Sequence, residues 1–340
     1  MNTSIESLTR NQIRKLILDS GLPKFRANQL LDWLYKKGVS SYEEMTNLPQ
    51  LLRSQLDFEY PLNKPELIDR QISKDGTRKY LFRFNERRVA ETVGIPSSDD
   101  RLTVCCSSQS GCAMGCDFCA TGHQGFSGNL LIGEIVDQII QVQNDFSQRV
   151  SNIVVMGQGE PFLNFDNVIE ALRICNDQKL LNIGARRITI STCGVIPGIE
   201  RFSQVEEQFT LAVSLHSAVQ QTRDKIMPGT RKWPLPDLKR ALINYNCTTN
   251  RRVTLEYALM RGVNDSHSDL QALIEYCNGL ICHVNLIPLN EIDDSPYQPT
   301  ASHVIDYWRD KLQASGIEAS VRNSRGQDIA GACGQLANRK

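Results

Sequence analysis

Three cysteines, Cys112, Cys116 and Cys119, stand in the short stretch "SGCAMGCDFCATG", spaced C-x3-C-x2-C. Thiolates are strong ligands for zinc and for iron–sulfur clusters, and three so close together can converge on one centre. A closed structural zinc site needs a fourth cysteine or histidine, and His123, four residues past Cys119, is a candidate for it. A [4Fe–4S] cluster held by three cysteines instead leaves one iron without a protein ligand. That open iron is a site where a small molecule can bind, so the two readings imply different chemistry: a staple in one case, a reactive centre in the other.

The composition bounds the choice. The chain has 340 residues and 11 cysteines, an odd and high count that, in a reducing compartment, points to metal binding or catalysis rather than structural disulfides. The opening "MNTSIESLTRNQIRKLIL" carries no apolar signal core, and no stretch approaches the roughly 18 apolar residues of a membrane span; the expected setting is the cytoplasm. Formal net charge is zero, which gives no global electrostatic case for a nucleic-acid partner. Locally, the segment from Arg223 to Arg261 is basic, with Lys225, Arg231, Lys232, Lys239, Arg240, Arg251 and Arg252 between its ends. A solvated surface explains such a segment as well as a phosphate-binding face does.

The elements that must position the cysteines follow from periodicity. Residues 1–60 read as a small helical domain, with apolar residues at helical spacing in "NQIRKLILDSGLPKFRANQLLDWLYKKG" and breaks at Gly21, Pro23 and Gly38. A further short helix is expected in "SYEEMTNLPQLLRSQL". Residues 61–97 read as a linker region built on a β-hairpin, with an Asp-Gly turn inside "QISKDGTRKYLFRF". Residues 98–340 alternate strand and helix. The strands are "RLTVCCS", "NIVVMGQG", "RITISTCG", "TLAVSLHS", "RVTLEYALM" and "HVNLIPLN". Each ends in polar or chemically active residues: the cysteine loop, Gly159-Glu160, Ser191, Ser214-Leu215-His216 and Asn290. Active groups at the C-terminal ends of parallel strands are the mark of a barrel-type α/β fold. Six units predict an incomplete (β/α)6 barrel; an open doubly wound sheet is the alternative that periodicity leaves standing.

With the cysteine motif after the first strand and "GQGEP" after the second, the chain resembles the radical S-adenosylmethionine (SAM) superfamily. The segments "CCSSQSGCAMGCDFCATG", "GQGEPFLNFDNV", "RRITISTCGVIPGIERF", "LAVSLHSA", "RGVND", "HVNLIPLN" and "ACGQL" extend the resemblance, over nearly the whole chain, to the RlmN/Cfr family of adenosine RNA methyltransferases. The resemblance implies a radical SAM core over 98–340, a [4Fe–4S] cluster on Cys112, Cys116 and Cys119, and SAM contacts from Gly159, Glu160, Ser191, Ser214, Leu215, His216 and Asn290. A satisfied core histidine is the ordinary reading of His216, set aside because "SLHS" directly follows a strand.

Ring carbons C2 and C8 of adenine are too weakly nucleophilic to attack the SAM methyl group, so a methyl carrier and a radical route are needed. The resemblance assigns the carrier to Cys333 in the C-terminal loop. It makes Cys105 the thiol that resolves the RNA adduct through a transient disulfide with Cys333, with Cys106 as a rival. Glu91, in the hairpin region, is the implied proton acceptor; read without the resemblance it is a surface carboxylate. C2 methylation of 23S rRNA and tRNA with two SAM per turnover is the implied reaction, C8 methylation of rRNA the alternative, and flavodoxin or ferredoxin the implied electron donor. RNA is expected on the basic segment, the C-terminal "VRNSRGQDIAGACGQLANRK" and the helical N-terminus. A radical SAM enzyme acting on another substrate, and a zinc-stapled RNA-binding module without catalysis, are the remaining alternatives. The chain departs from the family pattern at Gln158, Gly229-Thr230, Leu289 and Gln327.

Overall fold

The computed structural model describes residues 4–293 and 295–338. Three helices open the chain: α1 (Arg10–Asp19), α2 (Phe25–Leu31) and α3 (Gln50–Glu59). Thr9 and Gln12 cap α1 reciprocally, each side chain accepting the other's backbone N–H, which satisfies two donors the helix start would leave orphaned. α2 runs on through a wider turn at Asp32–Lys37 and stops at Gly38, whose φ of 63° is the left-handed conformation that glycine tolerates. Of the expected 41–56 helix, the first part is a single 3-10 turn at Tyr42–Glu44 and the rest is α3.

β1 (Glu66–Ile72) and β2 (Arg78–Arg83) form the hairpin, and β3 (Val89–Pro96) adds a third antiparallel strand. β3 then pairs with β4 (Leu102–Cys105), with Val93 opposite Cys105. The linker is therefore continuous with the main sheet. A small ribbon of β5 (Gln109–Gly111) and β6 (Phe126–Asn129) closes the cysteine loop, which contains the one-turn α4 (Ala120–His123). At Gly111, φ is +70° and an added Cβ would run into the Gly125 carbonyl oxygen, so only glycine lets the ribbon cross there.

The alternation of strand and helix then proceeds through α5 (Ile132–Phe146), β7 (Asn152–Val155), α6 (Phe165–Asn176), β8 (Ile188–Thr192), α7 (Ile196–Phe202) and β9 (Thr210–Ser214). It continues with α8 (Gln220–Ile226), α9 (Leu235–Thr249), β10 (Val253–Leu259), α10 (His267–Cys277), β11 (Cys282–Pro288), α11 (Ser302–Ala314) and β12 (Glu318–Val321). The main sheet runs β1-β2-β3-β4-β7-β8-β9-β10-β11-β12, antiparallel to β4 and parallel from there. All six strands read from the sequence are present. β12 closes the series as a seventh parallel strand that the four-residue stretch "EASV" was too short to announce. β12 and β4 do not pair, so the barrel stays open along one side.

Aliphatic side chains from one face of the parallel strands, among them Val104, Ile153, Ile190, Leu211, Leu255 and Val284, fill the core, while the alternate positions Thr103, Cys105, Ser191, Ser214 and Glu256 face the other side. The N-terminal helices are tied to this core by charge: Lys64 reaches both Glu6 and Asp137 of α5, and Arg10 reaches Glu170 and Asp177. No described helix is long and apolar enough to cross a membrane.

Candidate active site

At the C-terminal ends of the parallel strands lies a cavity of about 350 Å³, within the range of small-molecule sites. Five cysteines line it: Cys112, Cys116 and Cys119 of the ribbon-closed loop, Cys105 at the end of β4, and Cys333 of the C-terminal segment. Cys193, to which sequence reasoning assigned no role, is a sixth. The loop is pinned at Cys112, whose N–H donates to the Gly125 carbonyl (2.8 Å), and at Cys119, whose N–H donates to the Cys116 carbonyl (3.1 Å). Burial raises all three thiol pKa values, that of Cys112 up to about 12, and neighbouring thiols add to this, Cys119 for Cys112, both others for Cys116 and Cys333 for Cys119. Such thiols ionise readily only against a cation, the condition a bound metal centre provides.

The donor set fits a cluster. Among the described residues no three Cys, His, Asp or Glu side chains converge tightly enough to hold a single metal ion, whereas three thiols around one cavity wall suit a cluster, whose thiolates bind separate irons. His123, the fourth ligand of the zinc alternative, is exposed, turns Nε2 toward the Asp117 carbonyl (3.0 Å) and lies outside the cavity.

Gly159, Glu160, Ser191, Ser214, His216 and Asn290 all line the same cavity. Gly159 has φ +97° and passes so close to Gln109 that a Cβ would lie 2.8 Å from its backbone nitrogen. The Glu160 carboxylate accepts the Phe162 N–H (2.9 Å) and the Cys193 N–H (2.7 Å), tying the loops after β7 and β8 together; burial raises its pKa. Ser191 and Ser214 face each other across adjacent strand ends, 3.4 Å apart. His216 accepts the Ala258 N–H at Nδ1 (2.9 Å), which leaves the proton on Nε2, and its ring meets Phe118 edge-on at 4.8 Å. Burial, then the Arg223 guanidinium, holds its pKa down to about 3. The histidine is thus both a satisfied neutral ring and a wall of the cavity.

Leu215 is not part of that wall. It is fully buried, its N–H donates to the Glu256 carbonyl and its carbonyl accepts Nε of Arg223. Asn290 donates to the Cys333 carbonyl (3.1 Å) and accepts from Gln327 (2.8 Å), holding the C-terminal loop at the cavity. Cys106 is fully buried on the other face of the sheet and does not reach the cavity. Glu91 is fully buried rather than a surface group, and it too lies outside the cavity wall. Its carboxylate lies 3.2 Å from Lys79 Nζ and accepts the backbone N–H groups of Ala337 (2.6 Å) and Asn338 (3.1 Å).

Three charged residues of the cavity, Glu256, Arg322 and Arg325, were not among the site residues read from the sequence. Glu256, buried in the middle of β10, accepts from Asn285 (2.8 Å); a lone carboxylate inside the apolar run "RVTLEYALM" was the available signal. Arg322, just past β12, reaches back across the open side of the barrel to Met156 Sδ (3.8 Å), and its charge opposes the burial that raises the Cys105 pKa. Recognising it required β12.

The basic segment needs a correction. Arg223 is fully buried: it donates to the carbonyls of Leu215, Cys193 and Ser214, capping the ends of β8 and β9. Arg251 donates to the carbonyls of Glu207 and Phe209. Neither faces a partner. Lys225, Arg231, Lys232, Arg240, Arg252 and Arg261 are exposed. Arg339 and Lys340, in the basic C-terminal segment, lie outside the described residues.

Comparison with known proteins accords with this geometry. The model of the radical SAM superfamily matches residues 106–276, and that of the ribosomal RNA large subunit methyltransferase N-terminal domain matches residues 3–60. A probable dual-specificity RNA methyltransferase RlmN of Clostridium novyi is 40% identical over 334 residues, covering 98% of this chain and 97% of that protein. One of Geobacillus thermodenitrificans is 44% identical, covering 98% and 92%. The crystal structure of a radical SAM methyltransferase from Sphaerobacter thermophilus superposes with a TM-score of 0.93 at 40% identity, covering 99% of this chain and all of that one. Radical SAM proteins use a [4Fe–4S] cluster and SAM, which the cavity and its thiols accommodate. With one model over the barrel, the other over the helices and relatives matched along almost their whole length, this chain belongs to the RlmN family of radical SAM RNA methyltransferases.

Proposed function

We propose that this enzyme methylates C2 of adenosine in 23S rRNA and tRNA through a methyl-cysteine on Cys333, with two SAM consumed per turnover. The observation that supports this most is the single cavity that gathers Cys112, Cys116, Cys119, Cys105 and Cys333 from segments far apart in the chain. Three of these thiols hold the cluster and two remain for covalent chemistry.

When bound there, the cluster and SAM supply the methyl group that Cys333 carries and the radical that activates it. The chain's own residues do the rest. Gly159, Ser191, Ser214, His216 and Asn290 position SAM through backbone and neutral polar groups, with Glu160 and Leu215 fixing the loops between them. Cys333 takes the methyl group as its thiolate, losing its proton, and later presents the activated carbon to the ring. Glu91 accepts the proton that leaves the ring carbon, and the unpaired electron left on the adduct would pass to the cluster that the three loop thiols hold. Cys105, as thiolate, attacks Cys333 Sγ; the carbon–sulfur bond breaks with its electron pair on the carbon, which takes back the proton held by Glu91 to become the methyl group, the methylated base leaves, and a Cys105–Cys333 disulfide forms. A cellular dithiol reduces it. The target base is flipped out of its stack to reach the cavity mouth, while the exposed cations around α8 and α9, the C-terminal segment and the N-terminal helices hold phosphates. Flavodoxin or ferredoxin delivers the electron, in the cytoplasm.

The test is anaerobic incubation of the reconstituted enzyme with reductant, methyl-deuterated SAM and RNA lacking the modification, followed by nucleoside mass spectrometry. Labelled 2-methyladenosine is expected. Co-elution with the C8 isomer would move the enzyme to the alternative regiochemistry, and no labelled adenosine despite methylated Cys333 would remove RNA as the substrate.

A further inference from the structure

The tail after Cys333 is bound across the inner face of β3. Its path is held at Gly334, whose carbonyl accepts the Ala120 N–H (2.7 Å), and at Leu336, whose carbonyl accepts Thr121 Oγ1 (2.7 Å). The Leu336 side chain is buried in a small apolar cluster with Val93 and Cys105, flanked by Ile95, Val154 and Met156. The next two residues give their N–H groups to Glu91. One short segment therefore covers the proposed resolving thiol and occupies the proposed base.

Two glutamines complete this arrangement into a ring. Gln158, fully buried, accepts the Glu91 N–H at Oε1 (3.3 Å) and donates from Nε2 to Gln124 Oε1 (3.5 Å). Gln124, at the surface, donates to the Ala337 carbonyl. The Ala337 N–H returns to the Glu91 carboxylate. Each link is a side-chain amide or carboxylate meeting a backbone or amide group, so the ring joins β3, the loop after β7, the end of the cysteine loop and the tail. β4 pairs with β3 only from Val93 to Pro96, so Gln158 also serves the Glu91 N–H that the ladder leaves over, whereas the link through exposed Gln124 is one the sheet does not require.

The arrangement cannot coexist with a reacting base. The Glu91 carboxylate is already taken up by two backbone N–H donors and Lys79, and Leu336 fills the wall beside Cys105. We propose that Gln124 and Gln158 are positioning residues that clasp the tail over Glu91 and Cys105, and that an unpaired purine base of the RNA gains this place only by displacing Leu336–Asn338. The proposal rests on the roles given above to Glu91 and Cys105.

The reconstituted holoenzyme tests it through amide hydrogen exchange at Ala337 and Asn338 and through N-ethylmaleimide labelling of Cys105, read by peptide mapping. Gln124→Ala, at an exposed position, and Gln158→Met, close in shape, each remove part of the ring. Both are expected to raise exchange and labelling about tenfold, the factor for one hydrogen bond of ordinary strength, with the visible spectrum of the cluster unchanged. A synthetic RNA stem–loop with an unpaired adenosine in its loop is expected to raise exchange at the same two amides in the parent enzyme. Parent-like exchange in both variants would overturn the clasp, and amides that stay protected under saturating stem–loop would overturn the displacement. If the tail opens on RNA but Cys333 never becomes methylated, the clasp stands and the methyl-cysteine reading falls.

Discussion

Cys105 and Cys106 are consecutive residues that face opposite sides of the sheet: Cys105 shares the cavity with Cys333, whereas Cys106 is sealed in the main core. Strand alternation enforces the split, and it separates two thiols that the sequence left as rivals. Cys105→Ala is expected to leave RNA covalently joined to Cys333, visible as a slow band on denaturing gels after one turnover. Cys106→Ser is expected to turn over normally and to lose about 1–3 kcal/mol of stability from the buried hydroxyl. An adduct trapped by Cys106→Ser and not by Cys105→Ala would exchange their roles.

The three loop cysteines and His123 make separable predictions for the metal centre. Cys116→Ala is expected to abolish iron and sulfide incorporation on reconstitution, while His123→Ala keeps both at parental levels, since its ring faces a backbone carbonyl outside the cavity. Loss of metal in His123→Ala, measured by elemental analysis, would revive a four-ligand zinc site.

Lys79 and Glu91 form a buried pair at 3.2 Å. Removing one partner leaves the other as an uncompensated buried charge, so Lys79→Met is expected to destabilise the enzyme by about 3 kcal/mol. Urea unfolding measures this, and a change below about 1 kcal/mol would place the pair at the level of a solvated surface contact.

His216 carries a pH dependence. Burial holds its pKa down to about 3, while in the unfolded chain the ring takes a proton below about pH 6.5. The unfolded state therefore binds more protons in that window, and stability falls as pH drops from about 6.5 toward 3. His216→Gln is expected to flatten this slope by up to roughly 1.4 kcal/mol per pH unit, the value for one proton. Identical slopes in urea titrations between about pH 6 and 4 would mean that the ring is protonated in the fold.

Among the cations of the 223–261 segment, exposure sorts two kinds. Arg231→Gln combined with Lys232→Gln is expected to lower the slope of log affinity for single-stranded RNA against log salt by about 0.7 for each phosphate no longer neutralised. Arg223→Met is expected to leave that slope alone and to lower stability, because its guanidinium caps three carbonyls inside the fold. Filter binding across a salt series separates them.

What the sequence made legible was local or periodic. The cysteine spacing, the apolar strands and the polar residues at their ends marked the cavity's floor, because strand and side chain are linked by alternation. That alternation also explains Leu215: it follows the strand end at Ser214, and its side chain points into the core while those of Ser214 and His216 line the cavity. Arg223 had a signal that charge counting ignored, since it shares a helix face with buried Ile226 and Met227. Arg322 and the partners of Glu91 had none. Both depend on how the last strand and tail return to the antiparallel strands, a contact of high sequence separation that no local pattern encodes.

β3 occupies the edge of β4 that a closed ring would give to β12, which makes the barrel a trough rather than a tube. In a closed ring, β4 and β12 would be bound edge to edge by backbone hydrogen bonds. Here Arg322, just past β12, reaches Met156 beyond the end of β7, and the polypeptide after β12 folds back so that Leu336 packs against Val93 and Cys105. The two thiols proposed to join in a transient disulfide come from either side of this opening, Cys105 at the end of β4 and Cys333 on the chain leaving β12. Giving that edge to β3 instead of β12 is what leaves room there for the proposed covalent bond between the two halves of the same sheet.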